Sequence, residues 1–150
     1  MKVFGHPLHI ILIHFPSALF PMDFVCSFLG FYTGNISFVS TSFYAMAGGV
    51  ALGALAIIAG VADLITVVKD KPTAVKKVLI HGGINTVVII AYSVLAYIAY
   101  KQYPQLTADS LSKIIIKGCL VTFMIVGNYI GGSLILKDKI GIEKKIYRDK

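Results

Sequence analysis

Residues 44–68 read YAMAGGVALGALAIIAGVADLITVV, an apolar stretch in which Asp63 is the one charged side chain. About 20 apolar residues in a helix are enough to cross the roughly 30 Å hydrocarbon core of a bilayer. Three further stretches of this kind cover residues 8–31, 78–100 and 113–136. The pattern therefore predicts an all-α, polytopic membrane protein built as a bundle of four transmembrane helices.

The composition of the whole chain favours the same environment. The chain has 150 residues, of which 57% are hydrophobic and 14% are charged, whereas about a quarter of a typical soluble domain is charged. The connections between the apolar stretches are too short to hold another domain. We therefore predict a single membrane domain over residues 1–150, ending in a basic cytoplasmic tail at 137–150.

The distribution of basic residues predicts the orientation. Of the fourteen Lys and Arg residues, three (Lys101, Lys113 and Lys117) fall on one side of a four-span topology, and the other eleven fall on the side of both termini. Because basic residues concentrate in cytoplasmic loops, both termini are predicted to be cytoplasmic, in a bacterial inner membrane. We expect Lys113 and Lys117 to snorkel from the end of the fourth helix. The basic residues are not interleaved with aromatic ones, which argues against nucleic-acid binding.

Two pairs of glycines have the GxxxG spacing that lets helices approach closely in a membrane. They are Gly49 with Gly53 and Gly127 with Gly131. We interpret both pairs as packing inside one bundle rather than as a dimer interface, although a homo-oligomer remains possible from the sequence. Cys26 and Cys119 have no partner at disulfide or metal spacing and are interpreted as packing residues.

Polar side chains within the predicted spans collect near the cytoplasmic side. With a rise of about 1.5 Å per helical residue, five of them lie roughly 4 to 12 Å from that side. They are His81, Asp63, His14, Asn85 and Asn128. Because polar groups in a bilayer are costly and face the bundle interior, we predict a shared polar layer, with His6 and His9 just beneath it. Asp23 lies about 22 Å from the same side and is expected to form a local hydrogen bond between helices.

Several short motifs carry a family resemblance. They are Gly5-His6-Pro7-Leu8-His9 with His14-Phe15-Pro16, Gly60-Val61-Ala62-Asp63, the HxxxN pair His81 and Asn85, and Gly131-Gly132. Together they resemble the signature of small bacterial membrane proteins catalogued as domain of unknown function 2231. Two departures are Ile10, where the family usually has a second proline, and residues 137–141, where many members have a basic residue followed by histidine. Similar proteins occur joined to iron-sulfur or cytochrome-like domains. The resemblance therefore implies a membrane in which electron transfer takes place.

The polar layer itself suggests a cofactor. Imidazoles from two facing helices are a common way to hold a redox haem in a helical bundle. We predict that His14 and His81 bind a b-type haem near the cytoplasmic side, with Asn85 and Asp63 fixing the imidazole tautomers. In this interpretation the chain transfers electrons within a larger complex, beside other membrane or redox subunits.

Two alternatives remain open from the sequence. His6 and His9 could share a transition metal completed by His14, Asp63 or His81, or the layer could pass protons. The same groups could instead hydrogen-bond one another and hold together an anchor subunit without chemistry of its own. We assign no catalytic residues, since the chain has neither a nucleophile elbow nor a phosphate-binding glycine loop, and do not expect an enzyme on its own.

Overall fold

The computed structural model describes residues 2–3 and 6–138, with the side chains of residues 8–138 except 66, 68 and 70. Four long helices make up the fold: α1 (Leu8–Thr33), α2 (Ile36–Asp70), α3 (Val75–Tyr100) and α4 (Leu111–Leu136). A short 3-10 helix, Pro72–Ala74, joins α2 to α3, and Lys2–Val3 pairs with His6–Pro7 ahead of α1. The prediction of an all-α bundle of four spans is confirmed.

The helices form a closed ring that runs up and down. Each helix packs against the next one along the chain, and α4 returns to pack against α1. Leu8, the 70–75 connection and Leu136 therefore lie at one end of the bundle, which we call the terminus end. The 33–36 turn and the 100–111 connection lie at the other, which we call the loop end.

The outer surface of the bundle is apolar. All four helices are long and hydrophobic enough to cross a membrane, yet only 17–33% of their most hydrophobic windows is buried inside the protein. Large side chains such as Ile65, Val87 and Phe123 point outward. Because contiguous exposed apolar surface of this extent is rare on soluble monomers, lipid is the natural solvent for it.

Helix α2 begins at Ile36, earlier than the span predicted at 44–68. The run of serine and threonine after Asn35 is helical rather than a loop. The Asn35 side chain accepts a hydrogen bond from the Ser37 amide at 2.9 Å and caps the helix, as asparagine does at many helix starts. Within the helix, the Thr41 hydroxyl donates a hydrogen bond to the Ser37 carbonyl oxygen at 2.8 Å. The extra turns bring Ser42 into the bundle, where it is buried.

Glycine allows α2 to lie directly against the central aromatic residues. Phe20 of α1 and Tyr92 of α3 are fully buried and stack across the bundle with ring centroids 3.8 Å apart. A Cβ added at Gly49 would come within 2.5 Å of the Phe20 ring, and one added at Gly53 would collide with Ile89. The α2 glycine pair therefore serves packing inside one chain, which confirms that interpretation.

Gly49→Ala is expected to lower the free energy of unfolding by about 1–3 kcal/mol, the usual cost of overpacking a core. The stacked Phe20 and Tyr92 rings leave the new methyl group no room. The measurement is an SDS-unfolding titration of the purified protein in micelles. Gly132→Ala is the matched control, because a Cβ there meets nothing within 4 Å. Equal stability of the two variants would contradict this packing.

Candidate functional site

Two histidines face one another near the terminus end. His9 of α1 contacts the Ala56 carbonyl oxygen of α2 through Nδ1 at 2.7 Å, and His81 of α3 contacts the Gly127 carbonyl oxygen of α4 through Nδ1 at 2.7 Å. The two ring centroids are 6.2 Å apart, with the ring planes at 82°. One ring is thus tied to α2 and the other to α4, and the pair lies where all four helices meet.

The tautomers of both rings follow from these contacts. A carbonyl oxygen can only accept a hydrogen bond, so Nδ1 must carry the proton in each ring. In the neutral ring the other nitrogen, Nε2, then has its lone pair available. Two imidazoles with available Nε2 lone pairs can bind a metal centre or accept protons.

Asn85 lies one helical turn from the second histidine and contacts it. Its side-chain nitrogen Nδ2 donates to the backbone oxygen of His81 at 2.9 Å and lies 3.2 Å from His81 Nδ1. Since Nδ1 already donates its proton to Gly127, the amide proton is directed to the His81 carbonyl. We call His9, His81 and Asn85 together the histidine site.

Glycines bring the backbones of α2 and α4 onto the rings. A Cβ added at Gly60 would lie 3.0 Å from the His9 ring, and one added at Gly131 would lie 2.6 Å from the His81 ring. Side chains at these two positions would push the imidazoles out of place. Gly60 and Gly131, one from each of two sequence motifs, therefore line the histidine site.

Not every predicted site residue joins it. His14 is exposed on the outside of α1, where its Nδ1 contacts the Ile10 carbonyl of its own helix at 2.6 Å. The ring beside His81 is that of His9, so the contacts favour His9 over His14 as its partner. Asp63 lies three residues beyond Gly60. Its side chain is half-buried and interacts with another group of the protein.

Two other predictions concern metal binding and the rest of the polar layer. The side chain of His6 lies outside the described residues, so its predicted metal role stays a prediction. Among the side chains that the structure describes, no three His, Cys, Asp or Glu residues converge as a metal-binding group. Asn128 of α4 donates to Ser17 of α1 at 2.9 Å and links those two helices beside the histidine site.

A second polar group lies towards the loop end and is centred on Lys117. The Lys117 side chain is 1% exposed, and its Nζ lies 2.7 Å from both Asp23 Oδ1 and Asp109 Oδ2. It also donates to Ser27 Oγ at 2.7 Å and approaches Ser42 Oγ at 3.3 Å. We call these five residues the ion cluster. It joins α1, α2 and α4 to the connection before α4.

The prediction that Lys117 snorkels out of the membrane is wrong. Helix α4 begins at Leu111, so Lys117 lies more than a turn inside it, and a fully buried carboxylate at Asp23 compensates the charge. Asp23 does bridge helices as predicted, with an ammonium group as its main partner. Lys113 is the lysine that reaches the surface, with its side chain 30% exposed. The sequence does contain a signal for this ion pair. Asp23 and Lys117 are an acid and a base on different helices, at similar distances from the loop end.

Asp109 lies on the solvent side of the ion cluster. Burial alone would raise the pKa of this carboxyl group. The Lys117 ammonium, the hydrogen bonds from Lys117 and Ser27, and the charge of Lys113 outweigh burial and lower the pKa below its ordinary value. Asp109 is therefore a stable anion that holds Lys117 from the loop end.

A comparison with protein families now places the chain. The family described as predicted membrane protein (DUF2231) matches residues 5–144. The chain belongs to this family. No curated protein and no solved structure matches the chain. The DUF2231 match spans all four helices, the histidine site and the ion cluster, and confirms the resemblance drawn from the motifs. Together with the apolar outer surface, it makes the chain an integral membrane protein.

Proposed function

We propose that this DUF2231 protein is a subunit of a larger membrane complex that binds one b-type haem through His9 and His81 and transfers electrons. The observation that carries the proposal is the pair of imidazoles 6.2 Å apart, each with Nδ1 held by a backbone carbonyl. Histidine ligands of metals almost always donate their second ring nitrogen to such an acceptor, which fixes the ring and strengthens the ligand.

The spacing would suit two imidazoles that hold one metal ion between them. A metal–imidazole bond is about 2.0–2.1 Å, so two such bonds and the radii of two rings separate the centroids by roughly 6 Å. The measured 6.2 Å agrees with this sum. His9 takes the place of His14, the ligand predicted from depth and helix pairing, because of these two rings it is His9 that lies next to His81.

The surroundings suit a redox centre. A haem held by His9 and His81 inside this apolar helical bundle would be shielded from solvent and would supply one-electron transfer. The Gly127 carbonyl holds the His81 ring through Nδ1 at 2.7 Å, and Asn85 bonds the His81 backbone oxygen beside it. From the count of basic residues, we propose that the terminus end, and with it the histidine site, is on the cytoplasmic side of a bacterial inner membrane.

The same contacts support a second candidate function, a structural anchor. Each imidazole bonds the backbone of another helix, and a hydrogen bond between helices in a membrane is worth about 0.6 kcal/mol on average. An anchor needs no available Nε2 atom, however. The haem proposal gives the two available Nε2 lone pairs a role, and the anchor does not.

The deciding experiment is a spectrum of the protein purified in detergent after expression with a haem precursor. We expect a Soret band, reduced-minus-oxidised bands of a low-spin b-type haem, and stoichiometric haem b in a pyridine haemochrome assay. Added hemin should restore the band to preparations that lost it. A colourless protein that neither contains metal nor takes up hemin overturns the proposal and leaves the anchor. A transition metal without porphyrin would instead indicate a metal site.

A further inference from the structure

The ion cluster is independent of the histidine site and towards the opposite end of the bundle. Charged side chains inside a membrane are costly, and they usually mark ion or proton pathways. Here Asp23 is 0% exposed and Lys117 is 1% exposed. Both side chains lie inside the bundle, so they are not ordinary surface charges. Neither takes part in the proposed haem binding.

The Asp23 carboxylate is satisfied on one side only. Its Oδ1 accepts from Lys117 Nζ at 2.7 Å and from Ser42 Oγ at 2.6 Å, with Ser27 Oγ at 3.3 Å. Its Oδ2 is buried and accepts no hydrogen bond from any residue that the structure describes. An unpaired carboxylate oxygen in an apolar interior is expensive. A proton on that carboxyl group would lower the cost, because a neutral acid is cheaper to bury than an anion.

The ion cluster has one more carboxylate than it has buried ammonium groups, so one added proton would make it neutral. Lys117 contacts two carboxylates, Asp23 and Asp109, each at 2.7 Å. One ammonium between two carboxylates leaves one negative charge over. Lys113 reaches Asp109 only at 3.5 Å and is partly exposed, so solvent screens it. Protonating Asp23 leaves the neutral pair of Lys117 and Asp109.

Water can come close to this carboxyl group. A cavity of about 20 Å³ lies at the loop end, lined by Ser27, Ser42, Asp109 and Lys117 among others. A water molecule needs about 10–15 Å³ of such space and two to four polar partners, so the cavity suffices for one. Ser42 lines the cavity and donates to Asp23, and a hydroxyl can accept one proton while it gives up another.

We infer that Asp23 is a proton-binding site supplied from the loop end through the Ser42 hydroxyl. A hydronium ion in the cavity gives a proton to the Ser42 oxygen, the Ser42 proton passes to the Asp23 carboxylate, and water is left behind. Rotation of the carboxylic acid then turns its hydroxyl to the Oδ2 side and returns an unprotonated oxygen to the donors Lys117 and Ser42. Lys117 keeps its charge and remains paired with Asp109.

Other titratable groups surround Asp23. Lys117 faces it from α4, Asp109 from the connection before α4, Tyr92 from α3 and Cys26 from its own helix. Lys117 is the cation in direct contact with it. The fourth helix, α2, contributes the uncharged Ser42.

The test is infrared difference spectroscopy of the protein in liposomes through acid and alkaline pH steps, in H₂O and D₂O. We expect an acid step to produce a protonated-carboxyl C=O band that reverses on return and shifts in D₂O. The band should be missing in Asp23→Asn, be shifted in Ser42→Ala, and persist in Asp138→Asn. Asp138 is the matched control because it pairs with Lys77 at the terminus end.

The experiment gives a clear answer whether or not the Asp23→Asn variant folds well. The milder Ser42→Ala variant and the wild-type D₂O shift report on the site even where Asp23→Asn folds poorly. A wild-type protein with no reversible carboxyl band over the pH range in which it stays folded would show that Asp23 is a permanent ion-pair partner. A band that survives in Asp23→Asn unchanged would overturn the assignment as well. Neither result bears on haem, so this inference and the proposed function fail separately.

Discussion

Lys117→Met lowers the free energy of unfolding by about 3–5 kcal/mol, the usual cost of removing one partner from a buried ion pair. The variant leaves the Asp23 and Asp109 carboxylates together without the ammonium that both contact at 2.7 Å. Ser27 and Ser42 also lose a donor. An SDS-unfolding titration in micelles, followed by circular dichroism, measures the loss.

Lys113→Met provides the control on the same helix. Its side chain is partly exposed and 3.5 Å from Asp109, so its loss should cost less than about 1 kcal/mol. The double variant Asp23→Asn with Lys117→Met should recover part of the stability, because it removes one buried carboxylate along with the ammonium. Similar small losses in Lys113→Met and Lys117→Met would contradict a buried, desolvated ion cluster.

Apolar length predicted the four helices well, since hydrocarbon thickness sets how long a span must be. Helix ends were harder. The residues after Asn35 look like a loop by composition, but a capped helix satisfies their hydroxyl groups on its own backbone. That early start of α2 is what brings Ser42 to Asp23, so an error of a few turns in one helix concealed part of the ion cluster.

Charge alone could not distinguish a snorkelling lysine from a buried one. Lys117 lies six residues into α4, and Ser42 six residues into α2, each about 9 Å from the start of its helix. Asp23 is ten residues before the end of α1, about 15 Å from the same end of the bundle. Opposite charges this close in depth attract strongly in a low dielectric, and the three-dimensional packing decides that they meet.

Depth predicted the polar layer, whereas the face of each helix decided which residues share it. His9 and His14 are five residues apart, which turns them about 140° from one another around α1. One of them can face the centre and the other then faces outward. His81 and Asn85 are four apart and lie on one face of α3, and the 3.2 Å between their side-chain nitrogens follows that rule.

If the proposed haem is bound, we expect His9→Gly and His81→Gly each to abolish its binding and His14→Gly to retain it. Changing a group that merely orients a metal ligand costs about 10–100-fold in affinity, and losing the ligand itself costs more. His9 and His81 form the facing pair, while His14 is held on the outside of α1 by the Ile10 carbonyl. The measurement is the Soret absorbance per chain, with hemin titration of each purified variant.

Rescue with free imidazole separates a ligand from a structural histidine. In His9→Gly the vacated space should admit imidazole, whose nitrogen would take over the proposed ligand role of His9 without restoring the link between α1 and α2. We therefore expect imidazole to return the low-spin spectrum to His9→Gly while leaving its unfolding midpoint nearly unchanged. Imidazole that restores stability but no pigment would favour the anchor. Pigment lost in His14→Gly and kept in His9→Gly would return the ligand role to the residue predicted from depth, because His14 would then have to turn inward when haem is present.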